Sequence, residues 1–339
     1  MLHCSKLKMN EARVKKRLIL HIGMHKTGTS SVQRYFSRNR AILRRMGVSY
    51  PLSIGAAGER QPKHAAIFDA ISHEADHGAP HPVLGPSVAQ IEDAAAMIEA
   101  GPERLGVLSA EGLSGERPVF ADALAPLAAR FDTTVVIFVR RQDHWVESFY
   151  RQMVLSRQVR EARGFHDFVA DAATQDHMNY ARIVDWWRGG FDDVRVVGFH
   201  ASGPLRPLAR LLRIAGLGRP FHWLPFAHAH ENPSPGVEAV EIVRRWNEEG
   251  VDAPRDAAAR IEARLGPGGR RYFTQAERSA LLKTFENGNQ RLLTSMEKTD
   301  HSCLAPNKTE FGQSRELRWT GDIDAQFSSN SLGAIQSSR

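Results

Sequence analysis

Leu18, Ile19, Leu20 and Ile22 form a short apolar run with β-branched members, which predicts a buried strand. Residues 23–31 break the run with two glycines and a cluster of small hydroxyl side chains. Val32, Tyr35, Phe36, Ile42, Leu43 and Met46 then recur at a period near 3.6 and predict an amphipathic helix, with Gly47 as its C-cap. The chain therefore opens with a strand, a glycine-rich turn and a helix.

Residues 51–86 are rich in Gly, Pro and His, and the one periodic stretch there predicts a helix near Ala65–Ile71. A long irregular segment inside a compact domain is often a binding loop. Helices are predicted over Val88–Ala100, Asp122–Phe131, Trp145–Arg157 and Tyr180–Arg188, and strands over Leu105–Ser109, Thr133–Val139 and Val194–Phe199. This alternation predicts an α/β fold with a mostly parallel central sheet of four or so strands. Beyond residue 200 only helical spacing remains, over Leu205–Ile214, Val237–Asn247 and Gln275–Met296, so the C-terminal half reads as helical. The boundaries that follow are a basic extension over 1–17, one domain over 18–297, and a polar, Ser-rich, disordered tail over 298–339.

Composition narrows the class. Of 339 residues 42% are apolar and 24% charged, the balance of a globular protein, which excludes collagen, coiled coil and wholesale disorder. Forty-five Lys and Arg against 38 Asp and Glu give a formal charge of +7, which suits an anionic ligand. No basic run with interleaved aromatics points to nucleic acid. The two cysteines, Cys4 and Cys303, build neither a disulfide framework nor a four-Cys zinc site, which fits a reducing, cytoplasmic setting. No apolar run approaches the ~18 residues of a membrane helix, and residues 1–17 lack the apolar centre of a secretory signal. His222, His228 and His230 lie near Glu231 without a convincing ligand spacing, so no metal is expected.

The turn itself carries the chemistry. A glycine-rich turn between a buried strand and a helix aims backbone N–H groups and the positive helix end at one point, which makes an anion site. In Gly23-Met24-His25-Lys26-Thr27-Gly28-Thr29-Ser30-Ser31 the glycines match the spacing of G-x-x-x-x-G-K-[ST], but Thr29 stands where the lysine belongs. The lysine lies inside the turn, at Lys26. The strand 133–139 runs into Arg140 and Arg141 rather than an acidic residue, which disfavours Mg²⁺-dependent ATP chemistry.

Lys-x-Gly-Thr-Ser after a strand resembles the 5′-phosphosulfate loop of the sulfotransferases that use 3′-phosphoadenosine-5′-phosphosulfate (PAPS). That family places an Arg at a strand end and a Ser eight residues on to grip the 3′-phosphate, and Arg140 and Ser148 have that spacing. Arg141 is the alternative to Arg140, and Gln142 stands where the family has a proline. The wording of the loop is similar to that of bacterial members linked to polysaccharide sulfation, as is the late helix bearing Asn289. The resemblance spans roughly residues 18–297, with its motifs confined to 23–31 and 140–148. It implies a three-layer fold like that of the P-loop nucleotide hydrolases and PAPS as donor, without a metal. His25, Lys26, Thr27, Gly28, Thr29, Ser30, Arg140 and Ser148 would bind that donor, and the acceptor would be a hydroxyl or amine on a carbohydrate.

Sulfuryl transfer also requires a group to take the acceptor's proton, while Lys26 neutralises the leaving oxygen. Glu111 follows the strand 105–109, at the strand end where α/β proteins bind ligands, and is the first candidate. His64, opening a helix after the irregular stretch, is the second. His25 packs beside the nucleotide or orients Lys26 on this reading, while Lys63, Arg151 and Arg157 either meet an acidic glycan or lie on solvated faces. Two competitors stand beside this reading: a sulfotransferase-like protein that binds PAP (3′-phosphoadenosine-5′-phosphate) or a glycan without turnover, and a kinase with a degenerate loop.

Overall fold

The computed structural model describes residues 14–199, 206–218, 221, 224, 235–266, 269 and 271–304. Five parallel strands build the central sheet: β1 (Arg17–His21), β2 (Val48–Ser49), β5 (Leu105–Ser109), β6 (Asp132–Val139) and β7 (Asp193–Gly198), in the order β2-β5-β1-β6-β7. The central strand β1 pairs Leu18 with Gly106 on one side and with Thr133 on the other. Alternation along the strands splits the core between two faces. Leu18, Leu20, Val135 and Ile137 join one cluster, whereas Ile19, Val107, Val136 and Phe138 join the other. Helices cover both faces, as a parallel sheet requires. The fold is the three-layer α/β arrangement expected from the strand–helix alternation, with one strand more than the pattern suggested.

The first crossover contains α1 (Thr29–Arg38) and α2 (Arg40–Arg45), where the periodicity predicted one helix. Asn39 breaks it: its backbone and side-chain N–H groups both donate to the Tyr35 carbonyl, closing the first helix before the second begins. Between β2 and β5 the segment 51–86 holds a two-stranded hairpin, β3 (Ser53–Ile54) with β4 (Arg60–Gln61), and α3 (Ala65–His77), followed by α4 (Ser87–Ala100). A short 3-10 helix, Glu111–Ser114, leaves the end of β5. The helix predicted over Asp122–Phe131 is two pieces, α5 (Val119–Leu124) and α6 (Leu127–Arg130), separated at Pro126 because proline cannot donate to a continuous ladder.

Beyond β6 come α7 (Gln142–Leu155), α8 (Phe165–Ala170), α9 (Ala172–Met178) and α10 (Tyr180–Gly190). After β7 every described element is helical: α11 (Arg206–Ile214), α12 (Val237–Glu248), α13 (Ala257–Leu265), α14 (Gln275–Thr284) and α15 (Glu286–Leu293). The stretch predicted as one helix over Gln275–Met296 is interrupted at Phe285.

These late helices fix α7. Arg278 pairs with Asp143 and, at 3.0 Å, with Glu147, all three buried. Asn289 and Gln142 exchange amide hydrogen bonds of 2.8 and 3.2 Å in the interior. Residues 298–304 are the first part of the expected tail, yet Lys298–Cys303 is a 3-10 helix in which Asp300 is buried and paired to Arg210 at 2.6 Å. Residues 1–13, 305–339 and the His222, His228, His230 and Glu231 group lie outside the described residues. Among the described residues no helix is long and apolar enough to cross a membrane, and no cluster of three His, Cys, Asp or Glu is placed to hold a metal ion.

Candidate active site

The turn after β1 sits in the middle of the sheet's C-terminal edge. Its backbone is left-handed at Gly23 (φ 64°), Lys26 (φ 62°) and Gly28 (φ 78°). Two of these positions need glycine for space as well as for φ. A Cβ on Gly23 would stand 2.6 Å from the Thr29 methyl and 3.2 Å from the Glu111 backbone, and one on Gly28 would meet Pro207 at 3.2 Å. The third is a lysine, which keeps this conformation although non-glycine residues seldom adopt it. Gly28 is the N-cap of α1 and supplies no side-chain cap, so the first-turn amides of Thr29 and Ser30 have no acceptor within the helix. Left-handed and right-handed residues in succession curl the amides into a concave anion cradle.

Side chains from three other elements close around the turn. Glu111, two residues beyond the end of β5, accepts a hydrogen bond from the Thr29 hydroxyl. Its other oxygen lies 3.5 Å from the Lys63 ammonium and 3.8 Å from His25 Nδ1. Burial pushes the Glu111 carboxyl upward, but His25, Thr29 and Lys63 together hold it below the usual carboxylate range. His25 is itself held down to about 4, mainly by burial and only partly offset by Glu111, so at neutral pH it is an uncharged neighbour. Its ring packs near Phe149 and His177, and its carbonyl accepts from the Trp145 indole N–H at 3.0 Å.

On the opposite side Arg140 donates to the Lys26 carbonyl at 3.3 Å and lies over the Phe199 ring. Tyr180 fixes it from below by donating to the Arg140 carbonyl at 2.8 Å. Burial, Arg140 and Arg151 all work against the charge of the Lys26 ammonium, while Glu111 supports it. Lys26, Arg140 and Arg151 therefore gather positive charge in a half-buried place, where a bound anion would relieve it. The arrangement fits an anion such as a phosphate.

The adjacent arginines have different partners. Arg141 forks onto Asp143 at 2.8 and 3.0 Å inside the network that holds α7, whereas Arg140 faces the turn. Ser148 is buried one turn of α7 beyond Trp145, on the helix that also brings Arg151 to the site. Thr27 is fully buried and its hydroxyl donates to the Met24 carbonyl at 2.7 Å, so it shapes the turn and leaves only its amide for a ligand. Ser30 is exposed on the first turn of α1.

His64 is not part of this group. Its Nδ1 accepts from the Ser109 amide at 3.0 Å, so Nε2 carries the proton and donates to the Pro51 carbonyl at 3.1 Å. Burial holds its pKa down to about 4. With both nitrogens engaged, the ring ties segment 51–64 to the end of β5, and Glu111 stands as the carboxylate at the turn. The pattern also missed contributors. Arg151, weighed as a solvated or glycan-facing cation, is buried beside Lys26, and Trp145, Phe149 and His177 form an aromatic shelf next to His25. The repeat of Trp145, Ser148 and Arg151 at three-residue spacing was the available signal.

No family model matches the chain, and neither does any curated protein. Among solved structures the chain is similar to a sulfotransferase from Alicyclobacillus acidocaldarius, at 17% identity and a TM-score of 0.42 over 71% of this chain and 98% of that one. It is also similar to the sulfotransferase domain from the curacin biosynthetic pathway, at 12% identity and a TM-score of 0.34 over 75% and 98%. Both neighbours are sulfotransferases.

Proposed function

We propose that this chain is a sulfotransferase that moves the sulfuryl group of PAPS to a hydroxyl or amine of a carbohydrate. The observation that carries the reading is the convergence of Lys26, Arg140 and Glu111 on a left-handed turn at the end of the central strand. The amides of residues 26–30 and the Ser30 hydroxyl would hold the 5′-phosphosulfate, with the Thr29 hydroxyl engaged by Glu111, and Arg140 with Ser148 the 3′-phosphate. Charge-assisted contacts of this kind are the strong ones for phosphates.

The transfer forms a bond from the acceptor oxygen or nitrogen to sulfur and breaks the bond from sulfur to the bridging oxygen of the 5′-phosphate. The acceptor's proton passes to Glu111, and the charge developing on the departing phosphate is met by Lys26. The reading includes a cytoplasmic setting and no metal. Incubation of the purified protein with labelled PAPS and a panel of glycans, lipids and phenols tests it. Lys26→Ala should lose both PAP affinity and labelled product; unchanged values for both would overturn the reading. PAP binding with no product from any acceptor would favour a silent binding protein.

A further inference from the structure

Residues 52–58, the first turn of α3, residues 83–84 and α4 line a half-open cavity of about 390 Å³, a size typical of small-molecule sites. Leu52, Ile54, Ile67, Val83 and Met97 supply its apolar lining, Ser53, His64, Gln90 and Asp93 its polar one, and no Lys or Arg is among its lining residues. Phosphates and sulfated or uronic sugars call for cations. The lining therefore argues against the donor and against an anionic glycan, and for a neutral, apolar occupant. Ile54, Val83 and Met97 at the rim remain 42%, 66% and 44% exposed, so apolar surface is left for something other than this chain's described residues to cover.

One wall of the cavity is tied to the C-terminal end of β5. His64 stands in its wall, and its backbone N–H donates to the Ser109 carbonyl at 2.8 Å while its ring accepts from the Ser109 amide. Ser109 is two residues before Glu111. Lys63, the neighbour of His64, reaches Glu111 at 3.5 Å. One short segment thus carries both a wall of the cavity, at His64, and the cation beside Glu111, at Lys63.

We infer that this cavity binds an uncharged alkyl or aryl arm of the acceptor, so that the sulfated sugar is one carrying an apolar substituent. The inference rests on the sulfuryl-transfer reading. Each methylene withdrawn from water strengthens binding about fourfold.

Methyl, butyl and hexyl β-glucoside, each below its micelle concentration, serve as probes in calorimetry and ligand-observed NMR with and without PAP. Affinity should rise at least tenfold from butyl to hexyl. Val83→Asp at the exposed rim should abolish that gain while leaving PAP affinity unchanged, and Ala94→Trp should do so by filling the interior. Equal affinity along the series, or a gain that survives Val83→Asp, would overturn the inference. Loss of the chain-length effect with PAP binding intact refutes the cavity alone. Absence of PAP binding refutes the donor reading, and the glucoside series in the PAP-free protein still decides the cavity.

Discussion

Thr29 donates its hydroxyl hydrogen bond to the Glu111 carboxylate, so the first residue of α1 and the acid at the end of β5 hold each other across the anion cradle. The carboxylate thus lies against the place where the donor's phosphate would bind. Like charges at such a distance oppose one another. Glu111→Gln keeps the shape and removes the charge, so PAP should bind about three- to tenfold more tightly by calorimetry, an order taken from exposed-to-half-buried charge pairs. Sulfated product should fall by at least about a hundredfold, the usual contribution of a general base. Weaker PAP binding in this variant would contradict the placement of Glu111 beside the donor site.

The two neighbouring arginines should separate cleanly. Arg140→Ala removes a cation that faces the turn, and PAP affinity should drop about ten- to a hundredfold with little change in thermal unfolding. Arg141→Ala leaves Asp143 buried with one partner fewer, which should cost about 3–5 kcal/mol of stability by denaturant titration. The opposite pattern would assign the 3′-phosphate to Arg141.

Acid should weaken the fold well above the range of ordinary carboxylates. His21, His25 and His64 are each held down to about 4, with burial the leading cause in all three. In the unfolded chain these imidazoles take up protons near 6.5, so the unfolded state binds more protons between pH 6.5 and 4. Stability is fully present above that window and is lost as pH falls through it. Thermal midpoints should hold from pH 7.5 to about 6.5 and decline from there to 4.5, and His64→Gln should flatten the decline. A midpoint constant across that range would show that the histidines are not held neutral.

A chain ending at Glu297 should be less stable than the full chain. It loses Asp300, which Arg210 grips at 2.9 and 2.6 Å, and the Cys303 sulfur packed over Gly198. Arg210 would then be left without that carboxylate, though Glu297 remains at 3.2 Å. A fall of several degrees in the thermal midpoint is expected for a loss of about 1–3 kcal/mol. An unchanged midpoint would mean the 3-10 turn contributes nothing.

What the sequence made legible was local. The switch from a buried apolar run to a 3.6-residue repeat across 18–46 announced strand, turn and helix, and the β-branched runs at 105–109 and 133–139 stood out for the same reason. The breaks at Asn39 and Phe285 did not, because the apolar face continues in phase through a one-residue interruption. The site divided the same way. Lys26, Gly28 and Glu111 are carried by their place next to strand ends, whereas the different surroundings of Arg140 and Arg141 depend on Asp143 and on its partner Arg278, 135 residues further along the chain. His64 looked free because nothing near it in the chain shows that Pro51 and Ser109 occupy both its nitrogens.

The left-handed backbone of Lys26 has a consequence for anyone who evolves this protein. A β-carbon in that conformation stores on the order of 1 kcal/mol, which Lys26→Gly would release. The same change deletes the ammonium at the centre of the cradle. If Lys26 holds the donor as proposed, a library sorted by heat resistance alone would enrich a variant without that grip, and any thermostabilisation campaign must carry a donor-binding screen at every round.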